Sequence, residues 1–84
     1  MNIPLVHGNF SPSDSFELLN QMVQLKVKFH ENKISKTSNE EDIKYRESKI
    51  KRLQNDLMEL KKYIDQSNAN LSVDVQIKLE KSII

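Results

Sequence analysis

Apolar residues follow three different spacings along the 84-residue chain, and each spacing predicts an element. Over residues 12–34, Leu18, Met22, Leu25 and Phe29 recur at helical intervals and form one apolar stripe. Phe16, Leu19, Val23, Val27 and Ile34 form a second stripe, displaced by about a third of a turn or more. Together they occupy about half the helix circumference, more than a single antiparallel neighbour buries. Ser11 supplies an N-cap oxygen, Pro12 suits the first helical position, and Asp14 complements the helix dipole.

From Ile43 the spacing becomes a heptad. Ile43, Ile50, Leu57 and Ile64 take position a, and Arg46, Leu53 and Leu60 take position d. β-branched residues at a with leucine at d suit a two-stranded coiled coil, and an antiparallel hairpin uses the same seam. Thr37 with Glu40 and Ser38 with Glu41 both read as capping boxes, followed by the acidic turn Glu40-Glu41-Asp42. The second helix is therefore predicted over 38–66, after a link short enough for a helical hairpin.

Beyond a polar stretch at 65–70, Leu71, Val73, Val75, Ile77 and Leu79 alternate with polar residues. Period two is the signature of a strand. An isolated strand is not stable, and its one candidate partner, Ile3 to Val6, contains Pro4. A helical body offers no sheet to join, which favours a third short helix capped by Ser72 and ending at Ile84. Residues 1–11 read as an irregular leader anchored by Ile3, Leu5, Val6 and Phe10. The expected organisation is a leader 1–11, a hairpin domain 12–66 and a tail element 67–84, third helix or strand. The expected fold class is all-α: an antiparallel, coiled-coil-like hairpin that pairs with a second one as a four-helix bundle.

Composition narrows the function. A single glycine leaves no phosphate-cradling loop, and the absence of cysteine removes disulfides, thiolate nucleophiles and thiolate metal sites. Thirteen basic against twelve acidic residues give a net charge of +1, no footprint for a polyanion. No stretch is long and apolar enough for a membrane span, and the leader lacks the basic flank and apolar run of a signal peptide, so a soluble cytoplasmic protein is expected. A chain of this length buries about 60% of its unfolded surface, so a partner is the natural source of further stability.

The candidate chemistry is sparse. His30-Glu31 opens like the zinc motif H-E-x-x-H, but Ile34 stands where the second histidine belongs. His30 is better explained as an imidazole at a helix interface. Glu40, Glu41 and Asp42 are explained by the helix N-terminus without a metal. No catalytic, cofactor-binding or metal-ligating residue is assigned, no cofactor is implied, and an enzyme is not expected. The basic run Lys44, Arg46, Lys49, Lys51 and Arg52 resembles the basic helix of bZIP proteins, but it overlaps the heptads instead of preceding them. Lys44, Lys49, Lys51 and Arg52 remain the possible nucleic-acid contacts, in a protein for which nucleic acid is an unexpected partner. The leading expectation is an adaptor, regulator or chaperone that binds a protein partner by helix packing, with a homodimer as the economical assembly. Its contact residues would be Leu18, Met22, Leu25 and Phe29 on the first helix, and Ile50, Leu53, Leu57, Leu60 and Ile64 on the second. The alternatives are a nucleic-acid-binding regulator using 44–52 and a structural subunit of a phage or secretion assembly.

Overall fold

The computed structural model describes residues 1–83. Its elements run β1 (Asn2–Phe10), α1 (Pro12–Ile34), α2 (Glu40–Asp65) and β2 (Leu71–Lys78). α1 starts where the sequence places it. The Ser11 hydroxyl accepts the Asp14 N–H at 3.1 Å, and Pro12 follows the cap. α2 starts later than either capping box predicts. Asn39 is the cap, its Oδ1 accepting the Asp42 N–H at 3.1 Å, while Thr37 Oγ1 accepts the Asn39 N–H at 3.2 Å. Asparagine caps a helix as well as serine or threonine does, and this choice gathers Glu40, Glu41 and Asp42 into the first turn.

The helices pack antiparallel. Leu19, early in α1, shares a cleft with Leu60 and Ile64, late in α2, while His30 meets Arg46 nearer the turn. α1 turns its second stripe to α2, with Val27 only 7% exposed. That stripe runs from Phe16 to Ile34 and so matches the whole seam, whereas the first begins at Leu18 and stops at Phe29. In α2 the heptad positions are half-buried, and Ile64 is closed off at 4% exposure.

The two ends of the chain overturn the all-α expectation. β1 and β2 form an antiparallel two-stranded sheet, with Phe10 opposite Leu71 and Asn2 opposite Lys78, so the fold is α+β. The leader is a strand rather than irregular, and the tail is a strand rather than a third helix. Ser72 pairs with Asn9 instead of capping anything. The expected end of that helix, Ile84, lies outside the described residues.

Pro4 does not block the pairing because of where it falls in the ladder. Met1 and Leu79 hydrogen-bond reciprocally, each N donating to the other's carbonyl at 2.8 Å. Backbone groups alternate between facing the partner and facing away, so Ile3 faces β2 while Asn2 and Pro4 face outward. Leu5 is then an extra residue in a bulge between Pro4 and Val6. The bulge changes the phase of the strand, placing Ile3, Val6, Gly8 and Phe10 opposite Ile77, Val75, Val73 and Leu71. One face of the ribbon is thereby apolar throughout, and the other carries His7, Asn9, Asp74 and Gln76.

The ribbon is rooted on the outer ends of the two helices. Val73, 7% exposed, lines a cleft of about 270 Å³ with Ser15, Leu19 and Ile64. Ser15 is wholly buried there, where a larger side chain would push the strand away from α1. The whole molecule measures 47 × 30 × 15 Å, with a radius of gyration of 15.7 Å. A compact chain of this length would have a radius of about 12 Å. With the thinnest dimension close to one helix diameter, few side chains can be enclosed on all sides. The apolar side chains that are buried among the described residues are Val27, Ile64 and Val73.

Candidate interaction surface

The polar groups with unusual surroundings are structural in their placement. His30 sits in the helix interface, its Nδ1 3.1 Å from Arg46 Nη1. A guanidinium only donates, so Nδ1 accepts and the ring proton belongs on Nε2. That Nε2 is buried and makes no hydrogen bond. Burial, and then the positive charges of Arg46, Lys26 and Lys49, hold the imidazole below its ordinary pKa. Arg46, the charged residue at a d position, is accommodated because it faces this neutral ring and pairs with Asp42 one turn earlier, Nε to Oδ1 3.5 Å. His7 lies 3.7 Å from Asp74 across the exposed face of the ribbon. No group of three or more His, Asp or Glu among the described residues is arranged to hold a metal ion.

The basic run does not converge on one surface. Lys44, Lys51 and Arg52 are exposed, Arg46 turns inward, and Lys49 lies half-buried with Nζ 5.3 Å from the Tyr45 ring centre. These positions wrap around α2 as their spacing dictates. No helix among the described residues is long and apolar enough to cross a membrane.

The apolar surface is where the structure departs from a self-contained domain. Of the predicted contact residues, Ile50, Leu53, Leu57, Leu60 and Ile64 form α2's side of the intramolecular seam. Leu18, Met22 and Leu25 lie on the flank of α1 turned from α2, and Phe29 lies at its edge, beside His30 and within reach of Arg46 on α2. Leu18 and Met22 are half-buried, whereas Leu25 is 72% and Phe29 54% exposed. The sequence marks both sets as partner contacts, and here the α2 set packs against α1 within the chain. Phe10, at the root of the ribbon, lines a shallow cleft with Leu18, and an adjoining cleft runs past Gln21 to Leu25. Asp14, Glu17, Asn20, Gln21, Gln24, Lys28 and Glu31 line these clefts too, so Leu18, Met22 and Leu25 make a narrow apolar track along α1 with a polar border. It ends at Phe29, whose ring has the Lys33 ammonium 5.6 Å and the Arg46 guanidinium 5.9 Å from its centre.

A second apolar area lies at the far end of the ribbon and was not anticipated from sequence. Met1, Ile3, Leu5 and Leu79 are all exposed there. The signal was present in the alternation at 71–79. Its partner was disguised, because β1 changes from odd to even apolar positions at the Leu5 bulge. No protein-family model matches the chain, and no curated protein or solved structure is significantly similar to it.

Proposed function

We infer that the chain is a non-enzymatic protein-interaction module of the adaptor, regulator or chaperone kind, working through the outer face of α1. The observation that carries this reading is the exposure of Leu25 and Phe29, two members of one apolar stripe, on a helix whose other stripe already packs on α2. An apolar stripe of this kind is the usual means by which one helix seats against another protein. The chemistry of the polar groups supports the same reading, since the carboxylates of α2's first turn serve the helix dipole and His30 serves the helix interface.

The test is the double variant Leu25→Glu, Phe29→Glu. Leu25 points to solvent and Phe29 is more than half exposed, so the fold should be kept, with a modest fall in melting temperature from the loss of the Phe29 ring's contacts with His30, Lys33 and Arg46. Affinity capture from the native host, followed by mass spectrometry, should recover a partner with the unaltered chain and lose it with the variant. Equal recovery by both proteins would exclude α1's outer face as the contact.

A further inference from the structure

We propose that two copies of this chain join through the free edge of β2, giving a four-stranded antiparallel sheet with strand order β1-β2-β2-β1. The proposal goes beyond the α1 track and does not depend on it. It begins with which backbone groups lack a partner. Leu79 uses both its N–H and its carbonyl on Met1. Alternation back along β2 therefore points Val73, Val75 and Ile77 toward β1, and turns the backbone groups of Ser72, Asp74, Gln76 and Lys78 to the open edge.

The two edges of the ribbon are not equivalent. On β1 the outward groups include Pro4, which has no N–H to offer, and the Leu5 bulge bends the strand beside it. Those are two of the devices by which proteins blunt an edge against pairing. β2 has neither. It is regular over Leu71–Lys78, contains no proline or glycine, and is rich in β-branched residues. A two-stranded ribbon is too small a sheet to be self-sufficient, and an open regular edge is the place to extend it.

The residues along that edge fit a second copy of themselves. Antiparallel pairing about a two-fold axis at Gln76 sets Asp74 opposite Lys78 of the second copy, and symmetry repeats the pair. On the other face the same register sets Val75 against Ile77 and Val73 against Leu79. Opposite charges and β-branched pairs are favourable cross-strand neighbours. A shift of the axis to Asp74 would instead place that carboxylate against itself. A shift to Val75 leaves Asp74 facing Gln76, with no charge complement. Charge thus selects the Gln76 register, and the two-fold pairing closes the assembly at two copies.

The chain has no cysteine, so a single introduced thiol reports on the geometry. Gln76 is exposed on the polar face, and Gln76→Cys should leave the fold intact. Directly opposed residues of a hydrogen-bonded antiparallel pair lie about 5.5 Å apart at Cα, with Cβ atoms wider apart than a direct disulfide prefers but within reach of a short bis-maleimide. That reagent should therefore link Gln76→Cys into a dimer, while Asn9→Cys on the outward side of β1 should not link. Sedimentation should show a dimer for the unaltered chain. Lys78→Asp should weaken it about tenfold by setting carboxylate against carboxylate twice, and adding Asp74→Lys should restore it. The Leu25→Glu, Phe29→Glu variant should dimerise normally. A monomer throughout the micromolar range, equal linking of the two cysteine variants, or a dimer lost only with the α1 changes would each overturn the edge pairing. The last of these would leave the α1 track standing as the contact.

Discussion

At the residue scale, the pair His30 and Arg46 shows how a helix interface accommodates a cation at a core position. Arg46 can occupy the seam because the ring opposite it is neutral, and the same contact makes the fold sensitive to acid. In the unfolded chain the imidazole titrates at its ordinary value of 6.5, and in the native chain it titrates lower. Between those two values the unfolded state binds more protons, so the free energy of unfolding falls as pH falls. The stabilisation is complete above pH 6.5, declines below it, and stops declining once the native imidazole itself is protonated. Denaturant titrations at pH 7.5 and 5.5 should show the lower midpoint at 5.5. His30→Gln should remove most of that difference while keeping an acceptor for Arg46. An unchanged difference in the variant would assign the acid sensitivity to another group. Ser15 illustrates the opposite case, a hydroxyl buried without a partner because the close approach of β2 to α1 leaves room for little else.

At the element scale, the helices were legible in the sequence and the sheet was not. Helical periodicity and caps are local signals. They placed α1 over 12–34 and set α2's heptad against α1, missing only that Asn39 rather than Thr37 or Ser38 begins α2. The strands depend on a partner about 70 positions away, and one of the two carries a proline and a bulge. The alternation of Leu71 to Leu79 was visible, but nothing near it in sequence could pair with it. The candidate surface was legible to the same degree, since the two stripes of α1 were both apparent but their roles depend on which one α2 covers. The heptad itself remains open to direct test. Leu53→Asp or Leu57→Asp puts a carboxylate into a half-buried seam, a change that should cost about 2–3 kcal/mol. For a small domain that is a large share of total stability, so circular dichroism should record a marked fall in the melting temperature. A melting curve matching that of the unaltered chain in both variants would show that these leucines do not hold the hairpin together.

At the scale of the whole molecule, the thinness of the fold and the placement of its ends govern what is firm and what opens. The sheet joins residues far apart in sequence, while the helical hairpin is built from a short turn outward. Hydrogen exchange should therefore find the amides in the middle of α1 and α2 more protected than those of β1 and β2 in monomeric protein. Equal protection across both would make the ribbon part of one cooperative unit with the helices. The reciprocal contact of Met1 with Leu79 has a consequence for assembly order. Closing a flexible loop of about 60 residues between Phe10 and Leu71 costs about 3–4 kcal/mol in chain entropy, more than a two-stranded ribbon readily supplies. Once the hairpin has zipped, Ser11 and Gln66 are already held at neighbouring helix ends and little of that entropy remains to be lost. The helices act as a splint for the sheet, and the ribbon is a latch that can close only after the splint is in place.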